Sequence, residues 1–181
     1  MRCPWAESGP LERKHHDEEW GRPCRDERHL FKMLILEGQQ AGLSWSTILK
    51  KMDTLSAAYD DFDPKIIINY DDEKIESLLK DPGVIRNRLK VLSVISNAKA
   101  YFKLCETQGS LSKFLWSYVD NQPIINNWTE MGHLPAQTPL SDKISKDLKD
   151  FGFKFVGSTI IYSLMQAVGL VNDHIVDCEF R

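Results

Sequence analysis

No stretch of this chain approaches the roughly 18 consecutive apolar residues that a membrane-spanning helix requires. The opening residues, Met1-Arg-Cys-Pro-Trp-Ala-Glu7, lack the apolar core of a secretory signal. The expected compartment is therefore the cytoplasm, with no membrane partner. Cysteine is scarce, four in 181 residues, and in a reducing compartment such residues are expected as thiols or metal ligands rather than disulfides. Alternation of period two is never sustained, which argues against a sheet-based fold. There is no internal repeat, low-complexity tract or composition shift that reads as a linker, so a single domain over residues 1–181 is expected. Net positive charge is also lacking: the formal balance is −3, which does not by itself advertise a nucleic-acid binder.

What is present is helix after helix. Apolar spacing and breakers predict helices over 10–20, 26–38, 44–58, 71–80, 85–106, 110–120, 140–150, 157–169 and a short one near 172–178. Gly21-Arg22-Pro23, Pro64, Pro82-Gly83, Gly109, Pro123, Pro135, Pro139 and Gly152 punctuate them. Residues 121–140 read as the longest irregular stretch, a surface loop. The fold class is all-α.

Charge is distributed unevenly. Residues 53–76 carry eight acids and two lysines, whereas 80–103 carry six basic groups (Lys80, Arg86, Arg88, Lys90, Lys99, Lys103) against Asp81. Residues 143–154 add four lysines against two aspartates. A chain polarised in this way can turn one basic face towards phosphates, although any one of these runs alone is more often a solvated helix surface.

The most informative segment is Glu37-Gly-Gln-Gln-Ala-Gly-Leu-Ser-Trp45. Asp26 is positioned as an N-cap, and Leu30, Phe31, Leu34 and Ile35 form the apolar stripe of the helix that follows. Glu37 lies seven positions after Leu30 and so points within about 20° of it, carrying a carboxylate inward with the core face. Gly38 and Gly42 let the backbone turn or approach a neighbour closely, and Leu43 and Trp45 flank those turns. Acid, turn and indole together suit a pocket for a flat polar or cationic ring. Spacing alone leaves open an acid paired with a core Lys or Arg, the commoner use of such a residue.

Two further constellations stand out. Cys3 and His16 lie near one end of the sequence, and His174 and Cys178 near the other. An i,i+4 His/Cys pair on a helix projects both side chains from one face, and two thiolates with two imidazoles make a closed tetrahedral donor set for zinc. Such a pair also arises by accident. Cys24 and Cys105 have no matching partners and read as buried thiols. Gly152-Phe-Lys-Phe-Val-Gly157-Ser158 joins a lysine-bearing helix to an apolar one. A tight turn there exposes backbone N–H groups, with Lys154 adding charge, in a form that can hold a phosphate. An ordinary helix corner is the alternative.

Six motifs together carry a resemblance. Cys3-Pro-Trp5, His16-Asp-Glu-Glu-Trp-Gly21, Leu36-Glu-Gly-Gln-Gln-Ala-Gly-Leu-Ser-Trp45, Asp81-Pro-Gly-Val-Ile-Arg-Asn-Arg88, Gly152-Phe-Lys-Phe-Val-Gly157 and Gly169-Leu-Val-Asn-Asp-His174 resemble the 3-methyladenine DNA glycosylase I family, bacterial repair enzymes of the helix-hairpin-helix glycosylase superfamily. The likeness runs from residue 3 to residue 178. It implies an all-α helix-hairpin-helix glycosylase fold, with one structural zinc bound by Cys3, His16, His174 and Cys178 joining the N- and C-terminal segments. It implies that Glu37 is the catalytic residue and contacts the base edge, that Trp45 stacks on the base, and that Trp5 and Trp20 border the cavity. Gly42 and Leu43 would form the wedge that fills the gap left by the extruded nucleotide, and Gly152, Lys154, Gly157 and Ser158 the DNA-backbone hairpin. The implied partner is double-stranded DNA containing 3-methyladenine, acted on by a monomer.

One residue departs from the family's pattern. Where a Tyr commonly precedes the metal-binding His, this chain has His15. An imidazole facing the pocket and neutral is the expected state, since a charged one would oppose a cationic base. The departure leaves two alternatives: a non-catalytic damaged-DNA-binding protein of the same fold, or a glycosylase with altered alkyl-base scope.

Overall fold

The computed structural model describes residues Met1–Arg181. Nine α-helices make up the framework: α1 (Pro10–Glu18), α2 (Glu27–Gln39), α3 (Trp45–Ala58), α4 (Pro64–Ile67), α5 (Asp72–Lys80), α6 (Arg88–Gln108), α7 (Leu111–Ser117), α8 (Pro139–Phe151) and α9 (Ser158–Ala167). Their starts are chemically marked. Asp26, Ser44, Asp71, Asn87, Ser110 and Thr138 each accept a backbone N–H of the following first turn, which satisfies one otherwise orphaned donor. No helix is long and apolar enough to cross a membrane.

Three expectations need correction. Pro64, read as a breaker, starts the single-turn helix α4, because its fixed φ suits the first helical position and Asp63 caps it. The segment near 172–178 is not a helix. Val171 and Asn172 (β2) pair in parallel with Ile124 and Ile125 (β1), and the Asn172 carbonyl accepts from the Asn126 N–H at 3.1 Å, so that backbone is committed elsewhere. By the same pairing, residues 121–140 are more than a surface loop: they are tied to the β2 segment.

Helix α2 is the centre of the molecule. Leu30, Phe31, Met33, Leu34, Ile35 and Leu36 are all essentially inaccessible, so the helix is buried almost all round rather than along one stripe. It belongs to a 37-residue apolar cluster that also takes in α3, α6, α7, α8 and α9. A second, smaller cluster (Cys3, Trp20, Ile175 and Cys178) gathers the two ends of the chain, with Trp5, Trp128, Met131, Leu134 and Phe180 packed against it.

Helices α8 and α9 form a hairpin around Gly152–Gly157. Gly152 ends α8 in the left-handed region at φ +102°, the usual role of glycine after a helix. Asn97 of α6 clamps the turn by accepting from the Lys154 N–H at 2.7 Å and donating to the Lys154 carbonyl at 3.1 Å. Gly38 faces the same turn. A Cβ built on it would meet Phe155 Cβ at 3.1 Å and Phe155 O at 3.2 Å. Of the turn and the close approach expected at Gly38, the structure shows the approach: Gly38 lies within α2, and its lack of a side chain lets the helix meet the hairpin. Asn97→Ala should cost about 2 kcal/mol, since it removes two hydrogen bonds and leaves two backbone groups to find new partners; a urea titration measures it.

Candidate functional site

The C-terminal turn of α2 delivers Glu37 into a cavity of about 400 Å³ lined by Trp5, His15, Trp20, Glu37, Gln40, Trp45, Met131, Leu134, Pro135, Ser163 and Gln166. All five residues expected to meet the base, Glu37, Trp45, His15, Trp5 and Trp20, are on this wall. Glu37 is only 4 % exposed. Burial alone pushes its carboxyl up to about 8, with no charged neighbour or hydrogen bond moving it. The ion pair with a core Lys or Arg is thus absent, and the acid is held almost wholly buried on the cavity wall. A group of opposite charge entering the cavity would recover the lost solvation.

The aromatic walls are interlocked. The His15 and Trp45 rings lie 5.2 Å apart, and Trp5 meets Trp20 edge-on, also at 5.2 Å. The Trp45 indole N–H is buried without a protein partner. His15 is buried and lines the cavity rather than facing outward, and its Nδ1 lies 2.7 Å from Glu19 Oε2. That hydrogen bond holds the Glu19 carboxyl below the usual carboxylate range.

Cys3, His16, His174 and Cys178 are all buried, and their donor atoms lie within 4.8 Å of one another, a group that could hold a metal ion. Cys3 Sγ is 3.6 Å from His174 Nδ1, and Cys178 Sγ is 3.3 Å from His174 Nδ1 and 3.5 Å from His16 Nε2. The opposite ring nitrogens are engaged elsewhere: His16 Nδ1 lies 2.8 Å from Asp17 Oδ1, and His174 Nε2 lies 2.9 Å from the Trp20 carbonyl. Donation by those N–H groups would leave the inward nitrogens with free lone pairs, the arrangement that orients metal-binding histidines. Burial lowers both imidazoles, His174 to about 4, and so keeps them neutral. Burial also pushes the Cys3 thiol up to about 12, so a thiolate there needs a cation beside it. The 172–178 turn replaces the expected helix, with the Cys178 N–H donating to the Ile175 carbonyl at 2.9 Å. A turn brings the two donors together as well as a helix face would.

The remaining candidates lie outside the cavity. Gly42 adopts φ +75° and Leu43 is 40 % exposed, at the turn between α2 and α3. On the hairpin, Lys154 is exposed, Gly157 caps α9 and Ser158 begins it; Ser158 Oγ lies 2.8 Å from Ser141 Oγ. Lys90, counted above with the basic groups, is instead buried. Cys24 and Cys105 are free and half-buried rather than fully enclosed.

Sequence reasoning missed Asp173. Its inaccessible carboxylate accepts from Asn126 Nδ2 (2.7 Å), Trp128 Nε1 (2.7 Å), Tyr162 OH (2.6 Å) and Gln166 Nε2 (2.8 Å). Four donors from two parts of the chain, the segment after β1 and helix α9, converge there, and Gln166 is itself a cavity wall. Only the position of Asp173 next to a metal-type His could have drawn attention to it. The lining residues Met131, Leu134 and Pro135 were also missed, because nothing in an irregular polar stretch marks which apolar side chains turn inward.

A helical protein that keeps an unpaired buried carboxylate among indole rings has the chemistry that suits a flat cationic ring. The comparisons with known proteins give this class a family. The Methyladenine glycosylase family matches residues 5–181. DNA-3-methyladenine glycosylase 1 of Escherichia coli (strain K12) is 47 % identical over 177 residues, covering 98 % of this chain and 95 % of the relative. DNA-3-methyladenine glycosylase of Haemophilus influenzae is 42 % identical over 180 residues, covering 99 % and 97 %. Among solved structures, a crystal structure of 3-methyladenine DNA glycosylase I superposes with a TM-score of 0.96 at 49 % identity, covering 99 % of this chain and 98 % of that one. The Staphylococcus aureus enzyme, solved for its recognition of 3-methyladenine, superposes with a TM-score of 0.96 at 36 % identity, covering 99 % and 95 %. The chain belongs to the methyladenine glycosylase family.

The raised Glu37 carboxyl has a consequence for stability. Below pH 4.5 both folded and unfolded chains hold the proton. Between 4.5 and about 8 only the folded chain holds it, so stability falls by up to about 1.4 kcal/mol per pH unit across that window and is flat above it. Glu37→Gln should therefore match the wild type in melting temperature at pH 4 and exceed it at pH 9. A constant difference at both pH values would contradict the buried, unpaired acid.

Proposed function

We propose that this chain is a monofunctional DNA-3-methyladenine glycosylase, a single domain over residues 1–181 that works as a monomer in the cytoplasm. It rotates 3-methyladenine out of alkylated duplex DNA, hydrolyses the N-glycosidic bond and leaves an abasic site for base excision repair. The observation that carries the reading is the unpaired Glu37 carboxyl on the wall of a cavity bounded by Trp5, Trp20 and Trp45.

The division of labour follows from the chemistry of the substrate. Methylation at N3 makes the base a cation and a good leaving group, so little acid catalysis is needed. Extruding it costs a few kcal/mol. Leu43 offsets this by entering the stack from the Gly42 turn, while Gly152, Lys154, Gly157 and Ser158 hold the backbone. In the cavity, Trp45 offers a π face, and Glu37 accepts hydrogen bonds from the base edge and balances its charge. A cation beside Glu37 favours its ionised form, so base and carboxylate stabilise each other. As the bond breaks, positive charge moves to the sugar, where a fixed anion stabilises the oxocarbenium-like transition state. Water then adds at the anomeric carbon and its proton leaves to solvent. No lysine reaches the cavity wall to form a Schiff base, which agrees with a glycosylase that lacks lyase activity.

The metal-ligand group fits zinc. Zn–S bonds of about 2.3 Å and Zn–N bonds of about 2.0–2.1 Å put tetrahedral ligands roughly 3.3–3.8 Å apart, and the three short separations here are 3.3, 3.5 and 3.6 Å. Cys3, His16, His174 and Cys178 would hold one zinc ion as a structural crosslink, fixing the segment that carries Trp5, His15 and Trp20.

A second reading is favoured by one observation, the imidazole of His15 on the cavity wall where the family commonly has Tyr. It would alter the range of alkylated purines rather than the reaction.

Single-turnover release of 3-methyladenine from alkylated duplex DNA tests the main reading: a non-catalytic damage-binding protein would release none, and chromatography of the released bases gives the scope. Glu37→Gln should slow release on the order of 100-fold while DNA binding is retained; an unchanged rate would remove Glu37 from the reaction. Metal analysis of freshly purified protein should find about one zinc per chain, and Cys178→Ser should lower both zinc content and melting temperature.

A further inference from the structure

The one buried lysine or arginine of the chain is not paired with Glu37. Lys90, in the first turn of α6, is 6 % exposed, and its ammonium group donates to the Gln39 carbonyl at 2.7 Å and the Ala41 carbonyl at 2.6 Å. In return, Gln39 Nε2 donates to the Lys90 carbonyl at 3.3 Å. No carboxylate pairs with Lys90, and burial lowers its pKa without any opposing charge. Burying a full charge among carbonyl dipoles is costly unless each hydrogen bond is made.

The bonds at the end of α2 explain what the charge does. The carbonyls of Leu36 and Glu37 accept from the Gln40 N–H, that of Gly38 from the Ala41 N–H, and that of Gln40 from the Leu43 N–H at 2.6 Å. Gln39 and Ala41 are the two carbonyls in this turn that Lys90 takes. A cation at a helix C-terminus also meets the negative end of the dipole. One side of the clamp is the turn of Glu37, and the other is the last residue before Gly42 and Leu43.

We propose that Lys90 is a positioning residue that locks the Gly42–Leu43 turn to α6 and so sets the wedge relative to the base cavity. The proposal rests on the glycosylase reading above. The acid and the wedge are six residues apart, and Gly42 between them adopts φ +75° with open space where a Cβ would stand, so no side chain of its own packs the turn in place. Lys90 ties the turn down from outside the helix. It touches neither base nor sugar; its effect is on whether Leu43 enters the stack while Glu37 faces the extruded base.

Lys90→Met keeps the length and apolar stem but not the charge. The test compares it with the wild type in two assays: binding of free 3-methyladenine, followed by tryptophan fluorescence, and single-turnover release of the base from alkylated duplex DNA. The expected result is free-base affinity within about twofold of the wild type and release slowed on the order of 10- to 100-fold, the scale that a misplacement of about 1 Å produces. Lys90→Gln, which can keep one of the two bonds, should fall between. Release at the wild-type rate would overturn the proposal. So would a parallel loss of free-base binding, which would make Lys90 a support of the cavity alone, or failure of both variants to fold. A wild-type protein that binds the free base but releases none from DNA would sink the glycosylase reading separately. Amide exchange over residues 41–44, faster in Lys90→Met if the clamp is real and unchanged if it is not, would then still decide the role of Lys90.

Discussion

The structure is organised around a carboxyl group that has been taken out of water and given no partner. Desolvation of an ionised carboxylate is among the larger penalties a protein interior can impose, and native proteins usually cancel it with a cation or a set of donors. Glu37 has neither, although a buried ammonium lies at the same end of its helix. Asp173, a buried carboxylate behind Gln166, has four donors. The contrast separates an acid that holds the scaffold together from one left without a protein partner on a cavity wall. The packing holds Lys90 on the backbone carbonyls beyond Glu37, and the burial of α2 from Met33 to Gln39 keeps the acid in place.

Three consequences of that central helix converge on one region. Glu37 points into the cavity, Gly38 presses against the hairpin at Phe155, and Gln39 and Ala41 accept from Lys90. Cavity, hairpin and the Gly42–Leu43 turn are thus mounted on five consecutive residues. The hairpin is tied to α6 a second time through Asn97, so α6 and α2 together fix the relation between where the backbone would be gripped and where the base would be held.

Much of this was legible in the sequence, for identifiable reasons. Helix positions followed from apolar spacing, from the glycine and proline breakers and, for α2, from Asp26, whose side chain acts within one turn. The inward direction of Glu37 followed from a seven-residue spacing, which is a local property. What stayed hidden was non-local. The 172–178 segment looked helical because its commitment to Ile124 and Ile125 depends on residues nearly fifty positions away. Lys90 read as one more charge on a basic run, because spacing cannot show that its stem turns inward. Asp173 had no local signature, and the inner wall at Met131–Pro135 lay in a stretch without periodicity. The mostly helical architecture and the family were readable; the partners of buried polar groups were not.

The distribution of the cavity wall along the chain has a further meaning for biosynthesis. Trp5, His15 and Trp20 leave the ribosome well before His174 and Cys178, to which the segment that holds them is anchored. The early indoles find their seat only once that later segment has emerged. A nascent chain that stops short of it has an incomplete cavity wall.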